Sequence, residues 1–347
     1  MTEFIVTLPS RGDGARGDWG PPPASLPPFV TDLRYGVYGP FDHLAEAGRA
    51  AEIVGFDGAL APFDPGGEES VVVTSGLLRA SRWLRGVAGL HPGVATPVYA
   101  AKVSASLQRF SGGRLDWRLS VDLDPAVARA QGDFVEGLDR YARADEFLTI
   151  AKGVWHEESY TYEGRFFHVL AGGFQEPLSS RPFPRVHLTG TSTEALDLSA
   201  RHADVHVFDL GDDLDALTAD LRGRAAVHRR AVAAGLTLPV LAREDGEEAA
   251  AEAARRAAAG APPSGLVGSY EDVAEVIGDF AARGVTTFVL QAVPHIEETY
   301  RLGENLLPLL ARTGPAGAPG TAETPGTAGA PDTAGTPDRS REHAHAD

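Results

Sequence analysis

Cysteine is absent from this chain of 347 residues, and methionine occurs only once. The protein therefore has no disulfide, no thiolate metal ligand and no thiol nucleophile, and its composition does not indicate an oxidising compartment. Histidines do not occur at the HxH or HExxH spacing of a metal site, except for His343 and His345 near the C-terminus. We expect no metal centre formed by the chain's own side chains.

Long apolar segments are missing as well, and so is a charged segment followed by an apolar one at the N-terminus. Met1 leads directly into the strand-like sequence EFIVTLP. A membrane-spanning helix needs about 20 consecutive, mostly apolar residues. The sequence therefore predicts a cytoplasmic protein without a signal peptide and without a membrane partner.

Positive charge is scarce relative to negative charge. The chain has 31 Lys and Arg residues against 48 Asp and Glu residues, which gives a formal net charge of −17. Binding to nucleic acid requires a basic face that neutralises phosphates. We therefore expect no nucleic-acid partner, and we interpret the excess of carboxylates as a source of solubility.

What the chain does contain is a regular alternation of short apolar runs and amphipathic helical patterns. The predicted strands cover residues 4–8, 58–61, 84–90, 115–121, 185–189, 205–209, 238–242 and 286–290. The predicted helices cover residues 42–54, 97–110, 138–154, 193–200, 214–234, 270–283 and 297–311, and a polar, alanine-rich helix is predicted within 244–265. Strands and helices in this alternation predict an α/β fold, a (β/α)8 TIM-type barrel.

Three segments depart from this alternation. Residues 12–34 and 159–184 are rich in Gly, Pro and aromatic residues, which predicts loop insertions or small hairpins over one end of the barrel. Residues 313–347 repeat Pro, Gly, Ala and Thr with almost no large apolar side chain, so burial there cannot offset the entropy of ordering. We therefore predict one barrel domain, 1–312, followed by a disordered C-terminal tail.

The turn after the fifth predicted strand is the sharpest local motif. In a TIM-type barrel the functional site lies at the carboxyl ends of the strands. In VHLTGTST, Gly190 allows close approach to the backbone, and Thr191 and Ser192 stand just before a helix. Free amides, hydroxyls and the positive end of a helix dipole suit a phosphate monoester. A well-capped helix without a ligand explains the same residues equally well.

Several sequence blocks carry a family resemblance, and they occur in the family's order over nearly all of residues 1–312. They are LPSRGDG, AAEIVGFDGALAP, LHPGVATPVYAAKVSASLQRFSGGR, DRYARADEF, YEGRFFHV, HLTGTSTEALDLSA and GLVGSYEDVAEVIGDFAARGVTTFVLQAVPHIEETYRLGENLLPLL. With these blocks the chain resembles the luciferase-like, flavin-dependent monooxygenases, most closely their alkanesulfonate monooxygenase branch. The resemblance agrees with the predicted barrel.

The resemblance also implies a chemistry. It implies reduced FMN as a diffusing co-substrate, supplied by a separate NAD(P)H:flavin reductase, and dioxygen as a second co-substrate for the oxygenation of a small organic molecule. It further implies a homodimer, or a heterodimer with another family member. Carried over by position, the residues that hold the flavin phosphate are Tyr141, Gly190, Thr191 and Ser192.

The side of the pocket that faces the flavin ring departs from the family pattern. The family's Asn and Thr-Gly at the end of the fourth strand correspond to Arg118 and Val121-Asp122, and the histidine before GDG corresponds to Arg11. These and further replacements remove groups that would pair with a sulfonate, which argues against a sulfonate substrate. Arg11, His91 and Arg118 are the polar candidates for a catalytic role.

Each of these candidates has an alternative. Arg118 would form a salt bridge with Asp116, Asp122 or Asp124 if it were structural, and His91 would be a packed histidine. A catalytically impaired chain that acts as a binding or partner subunit is therefore the second functional hypothesis. A deazaflavin cofactor, which related barrels use, is the third.

Overall fold

Pairing between the first and last strands closes the main parallel sheet into a barrel. In the computed structural model, which describes residues 2–10, 40–258 and 265–313, Phe4 of the first strand lies beside Phe288 of the last. Arg11 and residues 314–347 of the predicted tail lie outside the described residues.

The strands are numbered along the chain, and eight of them form the barrel. They are β1 (Glu3–Thr7), β2 (Gly58–Ala61), β3 (Arg85–Leu90), β4 (Leu115–Leu119), β5 (Tyr160–Glu163), β6 (His168–Gly172), β7 (Arg185–Thr189), β8 (Val205–Asp209), β9 (Ala233–Arg243), β10 (Leu266–Ser269) and β11 (Val285–Gln291). The barrel order is β1-β2-β3-β4-β7-β8-β9-β11, with β11 returning to β1. The short strands β5 and β6 form an antiparallel hairpin, and β10 pairs with the end of β9.

Helices follow the barrel strands and cover the outside of the sheet. They are α1 (Pro40–Ile53), α2 (Ser70–Ala80), α3 (Pro97–Ser111), α4 (Pro125–Ala130), α5 (Asp139–His156), α6 (Thr193–His202), α7 (Leu214–Val227), α8 (Gly246–Ala258), α9 (Tyr270–Ala282), α10 (His295–Arg301) and α11 (Leu307–Thr313), with a π-helical turn at Leu302–Leu306. The predicted (β/α)8 TIM-type barrel is confirmed. Within the described ranges no helix combines the length and the apolar character that crossing a bilayer requires.

The joint between α3 and β4 follows the predicted pattern. Thr96 caps the helix by accepting a hydrogen bond from the Tyr99 amide at 3.3 Å, and Pro97 occupies the first turn. Gly112 ends the helix in the left-handed conformation, with φ of 71°. A residue with a side chain rarely adopts this φ, which is why the Ser-Gly-Gly sequence predicts a helix end here.

The secondary structure differs from the prediction in two places, where local preference does not decide the outcome. The helix predicted over 214–234 ends at Val227, because β9 begins at Ala233 and is paired on both sides, with β8 and with β11. No helix is predicted over α2, because its valine run, Ser and Gly have low helix propensity. Its N-cap is Glu69, whose carboxylate accepts a hydrogen bond from the Val72 amide at 2.8 Å.

Strand β4 shows how the barrel separates its interior from its exterior. Trp117 points outward, donates from Nε1 to Ser104 Oγ at 2.8 Å, and packs against Phe147 of α5. Because successive side chains of a strand point to opposite faces, Asp116 and Arg118 point into the barrel. Above the level of Asp116 the interior holds an aliphatic layer, made of Ile5, Leu60, Val87, Val205, Val207 and Val289.

A cluster of ion pairs forms the floor of the barrel at the amino ends of the strands. Asp116, which is fully buried, accepts hydrogen bonds from Arg85 Nε at 3.0 Å and from Arg185 Nη2 at 2.7 Å. Arg185 also donates to Glu3 Oε1 at 2.6 Å. The two guanidiniums and the neighbouring His187 ring hold the pKa of Asp116 far below its usual range in spite of burial. Strands β3, β4 and β7 are thereby joined through the carboxylate of Asp116, and β1 is added through Glu3.

We predict that Asp116→Ala destabilises the fold by about 3–5 kcal/mol, because it leaves two guanidiniums without their shared carboxylate. Urea unfolding at neutral pH measures this change. In the matched control Asp139→Ala, which breaks the exposed pair with Arg165, the change is expected to stay within about 1 kcal/mol. Equal losses in the two variants would contradict a structural role for the floor.

Candidate functional site

The mouth of the barrel, at the carboxyl ends of the strands, collects the polar groups that the floor does not use. Arg118 of β4, Asp209 of β8 and Thr237 of β9 have the strand parity of inward-pointing residues. Thr237 is buried, and its hydroxyl has no hydrogen-bond partner among the described residues. The mouth therefore has unsatisfied polar groups above an aliphatic layer.

Arg118 is the central cation of this mouth. Its side chain is partly buried and makes no hydrogen bond or ion pair with any residue that the structure describes. Burial lowers the pKa of Arg118, and the negative charge of Asp209 opposes that shift. A partly desolvated guanidinium without a direct partner is a group that an anion or a polarised ring edge would stabilise.

The salt bridges expected for a structural Arg118 do not form. Asp116 is engaged by Arg85 and Arg185 at the floor. Asp122 accepts from Tyr141, and Asp124 caps α4 by accepting from the Ala126 amide at 2.8 Å. Each candidate carboxylate thus has another partner, and the structural alternative for Arg118 is wrong in its choice of partner.

The turn between β7 and α6 lies at the edge of the same mouth. Gly190 has φ of 111°, in the region that favours glycine. Thr191 is exposed, and Ser192 is the N-cap, accepting a hydrogen bond from the Ala195 amide at 3.2 Å. The positive end of the α6 dipole therefore faces this turn.

Tyr141 of α5 connects the turn to the end of β4. Ser192 Oγ donates to the Tyr141 hydroxyl oxygen at 3.2 Å, and the Tyr141 hydroxyl donates to Asp122 Oδ2. Burial and the neighbouring carboxylate raise the pKa of Tyr141 to about 12. The four residues predicted to hold a phosphate, Tyr141, Gly190, Thr191 and Ser192, are thus brought together, with a carboxylate among them.

Asp122 has only a loose cationic neighbour. Arg140 Nη2 lies 4.0 Å from Asp122 Oδ1, and Arg140 Nη1 donates to the Leu123 carbonyl at 2.7 Å. The Asp122 side chain is 52% exposed. Its charge is therefore partly screened by solvent but is not neutralised by a close ion pair.

His91, the third predicted catalytic residue, is a packed histidine in the structure. It is 3% exposed, its Nδ1 lies 2.7 Å from the Ser120 carbonyl, and its Nε2 lies 2.7 Å from Asp133 Oδ2. Both partners are acceptors, so only a ring that carries hydrogen on both nitrogens donates to both. Arg143 completes the cluster with two bonds of 2.6 Å to Asp133. A direct contact of His91 with substrate stays a prediction; what the structure shows is support for the loop ends.

Arg243, the last residue of β9, is not available to bind an anion at the mouth. It is buried and donates to Glu298 at 2.8 and 3.0 Å and to Glu252 at 2.7 Å. Glu298 also pairs with Arg256 and Arg301. This cluster joins β9 to α8 and α10, and its two carboxylates engage all three guanidiniums.

Two features of the site were missed by sequence reasoning. The bond between Asp122 and Tyr141 joins residues 19 positions apart, and the bond between His91 and Asp133 joins residues 42 apart. Neither pair has a spacing that marks a known motif. Only the packing of α5 and of the segment before it against the ends of β3 and β4 brings them together.

The residues at the mouth are suited to binding a ligand, but they provide no complete set of catalytic groups among the described residues. They offer a cation without a direct partner in the described ranges, a helix amino terminus with hydroxyls, and further polar groups at the ends of the strands. Within the described part of the chain, no serine, histidine and carboxylate are arranged for nucleophilic catalysis at the mouth, because His91 and its neighbour Asp133 are buried. Such a site suits chemistry that a bound cofactor supplies.

Comparison with known proteins agrees with this description. The family model described as luciferase-like monooxygenase matches residues 24–284, well over half of the chain. The fold is similar to that of EDTA monooxygenase (EmoA) from Chelativorans sp. BNC1, with 18% identity and a TM-score of 0.74 over 90% of this chain and 94% of that one.

Two further solved structures are similar at lower or comparable identity. Riboflavin lyase (RcaE), solved with modified FMN and its substrate riboflavin, has 17% identity and a TM-score of 0.73 over 90% of this chain and 92% of that one. The coenzyme F420-dependent tetrahydromethanopterin reductase from Methanopyrus kandleri has 13% identity and a TM-score of 0.70 over 88% and 98%. At such identities the likeness shows the fold.

We predict that Asp133→Asn destabilises the protein most at neutral pH and progressively less on acidification. The bonds from Arg143 hold the pKa of Asp133 well below its usual range in the folded state. The stabilisation is therefore complete above the unfolded carboxyl value, about 3.9, and is lost as the pH falls toward the folded value.

Urea unfolding of both proteins from pH 7 to pH 3 measures the difference. The gap in unfolding free energy between wild type and variant is expected to narrow below about pH 4. A gap in unfolding free energy that stays constant with pH would show that the ion pair between Asp133 and Arg143 does not stabilise the folded state.

Proposed function

The chain belongs to the luciferase-like monooxygenase family, and from this premise we propose that it is a flavin-dependent monooxygenase acting on a small organic substrate. The observation that carries the proposal is Arg118, a partly buried cation at the mouth of the barrel without a hydrogen bond or ion pair in the described structure. A reduced flavin ring carries negative charge when its N1 is deprotonated. Arg118 is placed to stabilise that charge.

The tail of the flavin is proposed to extend toward the turn between β7 and α6. Gly190 leaves room for close approach, and Thr191 and Ser192 offer hydroxyls at the positive end of α6. Tyr141, which touches Ser192, is the fourth member of this tail site. We propose reduced FMN as the cofactor, delivered by a separate NAD(P)H:flavin reductase, with dioxygen as co-substrate.

In this proposal the cofactor supplies the activation of dioxygen, and the chain supplies position and environment. Arg118 orients the ring and stabilises its charge. The aliphatic layer of the interior, which includes Val87 and Val207, excludes water from the pocket in this proposal. The floor cluster around Asp116 keeps the strands that carry these groups in register.

A non-catalytic partner subunit is the second candidate function, and one surface favours it. Tyr99, Val103, Ser106 and Phe110 share one face of α3, and the aromatic ends are 65% and 77% exposed. An apolar helix face of this kind is suited to contact with another chain, a second copy or a related family member. The titrations below separate the two functions, because a partner subunit would not bind reduced flavin.

We predict that Arg118→Met weakens binding of reduced FMN by about tenfold or more, because the variant removes the cation beside the anionic ring. Binding of oxidised FMN, whose ring is neutral, is expected to change by less than about threefold. Anaerobic and aerobic calorimetric titrations measure both. In the control Arg118→Lys, which keeps the charge, most of the preference for reduced flavin is retained; equal effects on both redox forms would contradict the assigned role.

We predict that Thr191→Glu weakens binding of reduced FMN by about tenfold or more, because it adds a carboxylate at the proposed tail site. The matched control is Val227→Glu, which adds the same charge at an exposed position at the other end of the barrel. Anaerobic titration of both variants against wild type gives the comparison. Unchanged affinity in Thr191→Glu would place the tail elsewhere.

A further inference from the structure

The tail site has one feature that does not suit a phosphate, the carboxylate of Asp122. A Cβ added at Gly190 would lie 3.9 Å from Asp122 Oδ2 and 3.8 Å from the Tyr141 hydroxyl oxygen. Asp122 is therefore within a few ångströms of the turn at which a phosphate would have to bind. Two like charges at such a distance repel each other, even where solvent screens them in part.

The hydroxyl that would hold a phosphate is already engaged. Tyr141 carries one hydroxyl hydrogen, and it donates that hydrogen to Asp122. Because the pKa of Tyr141 is raised to about 12, the hydroxyl stays protonated and keeps this bond at neutral pH. A phosphate would have to take the hydrogen bond from Asp122 and would leave the carboxylate without its partner.

Two groups beside the turn, Arg140 and His206, do not make up for this. Arg140 is 4.0 Å from Asp122 and is also held by the Leu123 carbonyl. His206, beside the turn, is fully buried with Nδ1 2.7 Å from Ser199 Oγ, and its Nε2 has no partner among the described residues. Burial lowers the pKa of His206 to about 4, so its ring is neutral at physiological pH and adds no charge for an anion.

The same set of groups suits an uncharged polyhydroxyl chain. Hydroxyls of a ribityl tail can donate to Asp122 and accept from Thr191 and from the amides of the first turn of α6. A phosphate, which carries acceptors and negative charge at neutral pH, can use only the donors of this set. The site therefore has one strong acceptor that a hydroxyl satisfies and a phosphate does not.

We propose that Asp122 is a specificity-determining residue that disfavours the flavin phosphate, so that the site takes a flavin with an uncharged ribityl tail about as well as FMN. This inference rests on the proposed function, because it concerns the tail of the same cofactor. The family resemblance implies a phosphate at this turn, and Asp122 is the residue of this chain that opposes it.

The test is anaerobic calorimetric titration of the full-length protein with reduced FMN and with reduced riboflavin. For the wild type we expect dissociation constants that agree within about threefold. In Asp122→Asn, FMN is expected to bind about tenfold or more tightly than before, while riboflavin changes by less than about threefold. The matched control is Asp220→Asn, which removes one carboxylate charge from the exposed surface of α7 and should leave both constants unchanged.

Two outcomes would overturn the inference alone. One is a wild-type protein that binds FMN at least tenfold more tightly than riboflavin, and the other is an Asp122→Asn variant in which the ratio of the two constants is unchanged. Failure of both flavins to bind either protein would overturn the proposed function, and this inference with it. Circular dichroism of each variant confirms that it is folded before titration.

Discussion

Strand β4 places two charged side chains inside the barrel, and only one of them has a partner among the residues that the structure describes. Asp116, near the amino end, joins Arg85 and Arg185 in a buried cluster. Arg118, two residues further along the same face, reaches the mouth without an ion pair in the described structure. The alternation of side chains in a strand forces both inward, so the pairing that stabilises the floor also fixes the position of the free cation above it.

The polar groups at the mouth come from the ends of neighbouring strands and from α5. The turn at residues 190–192 brings a helix amino terminus and hydroxyls, and α5 brings Tyr141 against them. Asp122 enters this group from the end of β4. The composition of this site is uneven: Arg118 supplies a cation, and the turn supplies hydroxyls with the carboxylate of Asp122. Membership of the luciferase-like monooxygenase family and this asymmetry together support the proposed cofactor.

Much of the fold follows from local sequence, because buried parallel strands are apolar runs between helix caps. Residues 58–61 and 205–209 were predicted with their observed bounds, and Gly112 marks the end of α3 as expected. β9 was not predicted in full, because its alanines favour a helix until pairing with β8 and β11 decides otherwise. The grouping of Tyr141 with the turn came from the family resemblance. Its bond to Asp122 depends on how α5 packs against the end of β4, which no local pattern encodes.

We propose that the mouth of this barrel holds a reduced flavin with its ring beside Arg118 and its tail at residues 190–192. A crystal structure of the protein soaked anaerobically with reduced FMN tests it most directly. We expect difference density for a flavin ring within hydrogen-bond distance of the Arg118 guanidinium, with the ribityl chain in contact with Ser192. Density for the flavin outside the mouth, or a mouth that Arg118 itself fills while flavin is absent, would contradict it.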